Sequence, residues 1–331
     1  MDLVDTVDIV DKPDRRGASV MWRLDAVLVS AAFLLGGSIS AAEELFVDPG
    51  YGRGFNVTAA RHPAPKVELG ALRFPDGPDE PPVWRLAQWG SRHLLEPGVF
   101  APLGEGKWVA ETPGKRVVVE RIEGGGASIL LEVNGGAEYE GHYRQKGEFW
   151  PHLLIEQKFD PPIQVATAGE LRLGLEFRVV HCEVVPGMES GLDPGLHTAQ
   201  VSAFFTVHGV TDGKLDPGEM FWFGIPLFDA RHAVPPGHQA FDIAPGGGGK
   251  FICNLDGKRF WQGNTGDGEW RRLDADLPAL LREALGIAQQ NGQFKERRFE
   301  DLAVTSFNLG WEVPGPYNAA IEIRGLSLRA K

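Results

Sequence analysis

The sequence predicts an all-β protein: a two-sheet antiparallel β-sandwich of jelly-roll type, with one short amphipathic helix near residues 277–291. Three observations carry this prediction. Apolar residues recur with period two along many segments, the spacing of strands that bury one face. The 43 glycines and 24 prolines divide the 331 residues into short pieces separated by turns. Only one stretch has the i, i+3, i+4 apolar spacing of a helix.

The chain begins with a processing signal rather than with a fold. Met21-Trp22-Arg23 precedes the apolar run AVLVSAAFLLGG and the small-residue exit SISAA, the pattern of a secretory signal with Met21 as the true start. The apolar run is too short for a comfortable membrane span. Residues 1–42 are therefore expected to be an upstream extension plus signal peptide, cleaved after Ser40 or Ala42, with an uncleaved anchor as the alternative. Residues 43–82, with HPAPK and PDGPDEPP, are expected to form an irregular Pro-rich lead-in. Residues 83–331 are expected to form the β-domain.

Within that domain RVVVERIE (116–123) and ASILLEV (127–133) flank three glycines and predict a hairpin. In HLLIEQKF, Leu153, Ile155, Gln157 and Phe159 share one face, and His152, Leu154, Glu156 and Lys158 share the other. From Glu170 to Val185, Leu171, Leu173, Leu175, Phe177 and Val179 alternate with charged residues. His181 and Glu183 then occupy core parity, so a bulge resets the register there or the two groups are buried and paired. Residues 197–210 bury Ala199, Val201, Ala203, Phe205 and Val207. MFWFGIPLFD (220–229) is apolar on both faces, as a central strand is. Leu277, Leu280, Leu281, Ala284, Leu285 and Ala288 form the helical stripe, with Asp276 as cap, Pro278 in the first turn and Asn291-Gly292 as the stop.

The formal net charge of -12 argues against a nucleic-acid partner and an anionic membrane surface. Cys182 and Cys253 lack the spacing of a zinc or redox site; one disulfide and two buried thiols are both open. GGGGK (246–250) lacks the first Gly and the Ser or Thr of a phosphate loop. Asp212 to Glu219 lacks the ligand order of a calcium loop and sits between two strong strands, as a hairpin loop does. No GxSxG or HExxH occurs. No cofactor or metal is expected.

What remains is polar and aromatic residues on strands. Trp150, Trp222, Trp261 and Trp311 are candidate sugar platforms, since an indole covers the apolar C–H face of a sugar ring. His152, Gln200 and Arg231 are candidate hydroxyl partners. Glu156, Glu312 and Asp229 are candidate catalytic carboxylates, because a carboxyl pair across a cleft can cut a glycosidic bond. The parity of HLLIEQKF places His152 and Glu156 on the groove face, with Glu312 or Asp229 across from them.

The segments HLLIEQKF, HTAQVSAFFTVHG, FWFGIPLFDAR and NLGWEVPGPYNAAIEIRGLSL resemble strands of concanavalin-like jelly-roll proteins that bind or cleave polysaccharides. The resemblance spans roughly residues 84–329 and is one of fold style. The ExDxE spacing of laminarinase-like hydrolases is absent, and Gln200-Val201-Ser202 lacks the His of the QIH strand in one alginate-lyase group. No catalytic residue carries over. The expectation is a secreted or periplasmic protein that binds, and as an enzyme would cleave, a polysaccharide or oligosaccharide as glycoside hydrolase or lyase. The alternatives are a non-catalytic glycan-binding module and a structural protein of the cell envelope.

Overall fold

A computed structural model of the chain describes residues 42–60, 66–123, 126–242 and 249–331. The expected extension and signal, and most of the GGGGK turn, lie outside the described residues. Strands run in chain order as β1 (Glu43–Glu44), β2 (Phe55–Ala60), β3 (Val67–Arg73), β4 (Trp84–Trp89), β5 (Gly98–Val99) and β6 (Ala101–Gly104). Next come β7 (Lys107–Thr112), β8 (Lys115–Arg121), β9 (Ala127–Asn134), β10 (His152–Gln164), β11 (Leu171–Val184) and β12 (Gln200–Thr211). The last six are β13 (Lys214–Asp229), β14 (His238–Asp242), β15 (Lys250–Asn254), β16 (Arg271–Asp276), β17 (Leu302–Glu312) and β18 (Tyr317–Ala330). Helix α1 spans Gly135–Tyr139 and α2 spans Leu277–Gln290.

The strands form two sheets. The first has the order β16-β11-β18-β9-β8-β7-β6, with β1 also on β18. The second has the order β14-β15-β13-β12-β17-β10-β4-β2-β3-β5. Their inner faces contribute to one apolar cluster, with Val117, Ile129, Leu131 and Phe177 from the first and Leu153, Phe205, Phe223 and Trp311 from the second. The Trp311 indole N–H donates to Leu131 O, 2.9 Å away, and so ties the second sheet to the first through the interior.

Several expectations hold. β8 and β9 pair from Lys115↔Val133 to Arg121↔Ala127. The register of β11 on β18 shifts between Val179 and His181, the bulge that turns Glu183 out to solvent. The β12–β13 hairpin turns through Asp212 (φ 51°) and Gly213 (φ 72°), as a two-residue turn requires. Its acidic residues are held by a cation: Arg297 Nη2 lies 3.0 Å from Asp216 and Arg297 Nε bonds Glu219. Helix α2 buries all six residues of its predicted stripe.

Other expectations need correction. Residues 43–82 are not an irregular lead-in. They carry β1 on the first sheet and β2 and β3 in the second. Pro49, Pro75, Pro78, Pro81 and Pro82 fall between strands, while Phe55, Val57 and Leu72 point into the core. Nor are the sheets antiparallel throughout. β13–β15, β2–β4 and β3–β5 are parallel. The reason is chain order: β14 takes the edge and β15 fills the place beside β13, while β4 takes the side of β2 opposite β3. Asp276 sits at the N-cap of α2 without a side-chain hydrogen bond to the first turn. Cys182 on the first sheet and Cys253 on the second are both free thiols.

Candidate functional site

The outward face of the second sheet is best followed as rows that cross the strands, because directly paired residues point the same way. One row runs Ala60, Trp89, then His152, Glu312, Gln200 and Asp229, on β2, β4, β10, β17, β12 and β13. Two residues along lies a row of small or short side chains: Thr58, Ala87, Leu154, Gly310 and Ser202. Two further along lie Asn56, Arg85, Glu156, Asn308, Phe204 and Gly224. The shorter row between two taller ones makes a shallow channel across the strands, a trough closed over toward β2, β4 and β10, where Thr58, Ala87 and Leu154 are buried, and reaching solvent at Ser202 on β12. Its rims are about 13 Å apart at Cα, four residues at about 3.3 Å each, and six strands give it a length of about 24 Å.

Glu312 is the focus of the first rim. Its Oε2 lies 3.4 Å from the Trp150 indole N–H, 3.5 Å from Gln200 Nε2 and 3.6 Å from His152 Nε2. Burial pushes the Glu312 carboxyl up, but the His152, Trp150 and Gln200 contacts outweigh it and leave the group below its ordinary value. His152 Nδ1 lies 2.9 Å from Trp150 O and 3.3 Å from Trp89 O. Two carbonyls need a donor, so Nδ1 carries hydrogen; Nε2 faces the Glu312 carboxylate, an acceptor, and can donate to it only when it carries hydrogen as well. Trp150 stacks on His152 at 5.6 Å and 22°, and the Arg144 guanidinium lies over the Trp150 ring, 5.0 Å from its centroid. Arg144 itself donates to the carbonyls of Pro314, Glu148 and Leu196, so it joins three segments behind the indole.

Glu156 stands on the other rim, one strand over from Glu312. Its Oε2 accepts a 3.0 Å hydrogen bond from Arg85, and both side chains are less than a fifth exposed. Asp229 ends the first rim but is a structural carboxylate, a correction to its expected catalytic role. Its Oδ1 accepts from Arg231 N, Arg231 Nε and Thr198 Oγ1, and its Oδ2 accepts from Arg231 Nη2. Burial raises the Asp229 carboxyl, yet the Arg231 and Thr198 bonds prevail and lower it. Arg231, expected to contact ligand, is spent on Asp229 and on Pro194 O.

The expected platforms divide by parity. Trp150 and Trp222 are half-buried on the outward side. Trp222 sits opposite Thr206, edge-on to Phe204 at 6.2 Å. Trp311 is wholly buried against Phe228, and Trp261 is 4% exposed with its indole N–H on Pro226 O. Neither can meet a sugar, because Trp311 on the inner face of β17 and Trp261 in the segment before β16 are both packed into the core. Gln157, the buried amide of β10, is closed on Val47: its Oε1 accepts from Val47 N and its Nε2 donates to Val47 O.

Sequence reasoning missed Arg85, Trp89, Lys66 and Arg144. For the first two a signal exists: WRLAQW alternates Trp84, Leu86 and Gln88 inward against Arg85, Ala87 and Trp89 outward. No local pattern marks Arg144, whose partners come from distant segments. No group of three or more His, Cys, Asp or Glu side chains suited to a metal occurs among the described residues.

No protein family and no curated protein matches the chain. Solved structures do. A family 12 xyloglucanase from Bacillus licheniformis matches at 10% identity and TM-score 0.40, over 73% of this chain and 97% of its own. A cellulase derived from that of Rhodothermus marinus matches at 11% and 0.37, over 75% and 100%. A family 11 xylanase from Neocallimastix patriciarum matches at 9% and 0.35, over 70% and 94%. Likeness at this level carries no activity over to this chain.

Proposed function

We propose that this chain is an exported jelly-roll protein that binds a polysaccharide strand in the trough of its second sheet. The observation that carries the proposal is the trough itself: a floor of Leu154, Gly310 and Ser202 between rims that hold Trp89, His152, Glu312 and Gln200 on one side and Arg85, Glu156 and Asn308 on the other. A long, shallow, partly aromatic channel of fixed donors and acceptors suits an extended chain of hydroxylated rings. Glu312 takes hydroxyl hydrogens, Gln200 and Asn308 both donate and accept, and the Trp150 and Trp89 edges supply apolar contact.

Binding without cleavage is favoured by the partners of the carboxylates. A glycosidase keeps one carboxyl protonated by placing it in apolar surroundings. On this face Glu312 is held below its ordinary value and Glu156 is ion-paired to Arg85. Cleavage is the second reading, supported by Glu156 and Glu312 standing on opposite rims of one trough. The export assignment rests on the sequence signal at Met21 to Ala42; no helix among the described residues is long and apolar enough to cross a membrane.

A glycan-array screen followed by reducing-end analysis of any ligand tests the proposal. The expected result is binding that Glu312→Gln weakens about tenfold and that Ser202→Leu, which fills the floor, abolishes. Reducing ends should not accumulate. Release of new reducing ends that stops in both Glu312→Gln and Glu156→Gln would establish the hydrolase reading instead. Binding unaffected by Ser202→Leu would remove the trough from the account.

A further inference from the structure

Past Ser202, where the trough reaches solvent, the outward face of the second sheet changes character. Phe204 lies two residues farther along β12 on the same face, about 7 Å away. Its row continues through Gly224 on β13 and Asn254 on β15 to His238 on β14. The row beside it holds Thr206, Trp222, Ile252 and Ala240. Trp222 stands edge-on to Phe204 at 6.2 Å and 76°. Phe204, Trp222, Ile252 and Ala240 are each partly exposed. The solvated side of a sheet is ordinarily polar, so these side chains form an apolar floor open to water. In the next row Lys250 stands opposite Asp242, one charge against the other, which suits a neutral ligand.

A glycine seats an amide in this floor. A Cβ on Gly224 would stand 1.6 Å from Asn254 Oδ1 and 2.6 Å from the Phe204 ring. Only a residue without a side chain lets the carboxamide lie there, in a strand whose adjoining outward residues are Trp222 and Pro226. The seat itself satisfies nothing: Asn254 Oδ1 is buried and has no hydrogen-bond partner. A covered acceptor without a donor costs free energy. That cost is recovered when the amide turns outward to a ligand that offers a donor and an acceptor together. Two neighbouring sugar hydroxyls can fill both ends of the amide, but they bring no apolar surface to the floor. An acetamido group brings an N–H, a carbonyl and a methyl at once.

We propose that this face takes the acetamido group of an N-acetylated amino sugar, with its N–H and carbonyl on Asn254 and its methyl on Phe204 and Trp222. The proposal rests on the glycan-binding reading above and names the sugar class held where the trough opens. The next rings of the same strand would lie over Ser202, toward Gln200 and Glu312.

The full chain is titrated with chitohexaose and cellohexaose, which share one backbone and differ in an acetamido group or a hydroxyl on each ring. The expected result is that chitohexaose binds at least tenfold more tightly, and that this preference falls about tenfold in Asn254→Ala. The thermal midpoint should not fall in that variant, since Asn254 Oδ1 holds no partner. Saturation-transfer NMR on the unaltered chain, with irradiation of the aromatic protons, should mark the acetamido methyl most strongly. If Asn254→Ala is destabilised, the saturation measurement decides. Equal or tighter binding of cellohexaose, a preference that survives Asn254→Ala in a stable variant, or a methyl that receives least saturation overturns the inference. Cellohexaose binding that Ser202→Leu abolishes, with no preference for chitohexaose, overturns it while leaving the glycan-binding reading intact. Binding confined to array glycans without acetamido groups does the same, and binding of no glycan overturns both.

Discussion

Glu156, Glu312 and Asp229 are three carboxylates on one sheet face, and their surroundings give them different work. Glu312 is ringed by one cation-capable and two neutral donors and keeps 22% of its side chain exposed. Asp229 is filled by Arg231 and Thr198. Its folded-state value is depressed below the ordinary 3.8. A depressed carboxyl contributes stability that is complete above its unfolded value and is lost as pH falls through its folded value. Melting curves between pH 2 and 7 should therefore show the protein losing stability below about pH 4. Asp229→Asn should lower stability at pH 7 by about 1–3 kcal/mol, less than for a fully buried pair because Arg231 is a third exposed. The same variant should show a shallower fall in acid. An acid limb identical to the parent's would deny Asp229 that role.

The strands around the trough are anchored at one end by α1, which follows β9 after the Asn134 cap. Within it Glu138 is almost wholly buried and bonds Lys115 Nζ on β8, which is equally buried. Glu138 also accepts from the backbone N–H groups of Arg92 and His93, just beyond β4. One carboxylate thus ties a helix and a strand of the first sheet to the chain leaving β4 of the second. A buried charge that loses its partner is costly, so Glu138→Leu should destabilise the protein by about 3–5 kcal/mol in chemical denaturation. Glu140→Ala, two residues away on an exposed pair with Arg92, should change stability by less than about 1 kcal/mol. Equal effects would mean that the anchor is the helix itself and not the ion pair.

For the molecule as a whole, the two sheets enclose their core without a covalent bridge. Burial pushes the Cys182 and Cys253 thiols up to about 12 each, so little thiolate forms near neutral pH. Thiol titration should find two groups after denaturation and almost none in the native protein, and a reductant should leave the melting temperature unchanged. A reductant-sensitive melting transition would mean that the cysteines pair after all. The mature N-terminus is expected at Ala41 or Glu43, and sequencing of secreted protein checks it.

Periodicity made much of this legible. The alternation in HLLIEQKF put Leu153 and Ile155 inside and His152 and Glu156 outside, because side chains on a strand have a strict period of two. It also made Trp311 avoidable as a platform, since adjacent Glu312 must face the other way. The stripe of α2 followed from the same local rules, and the break of parity at His181 was visible too, but only the pairing of β11 with β18 chose a bulge over a buried pair. What periodicity cannot supply is which strands are neighbours. Only the pairing of β10 with β17 and of β17 with β12 brings His152, Glu312 and Gln200 into one row, and these lie 160 and 112 residues apart in part. Partner choice decided the rest as well: Arg231 closing on Asp229, Arg85 on Glu156, Val47 on Gln157. A sequence determines which face each residue occupies through local sterics. The order of strands, and hence the row of His152, Glu312 and Gln200, is set by how distant segments share one core.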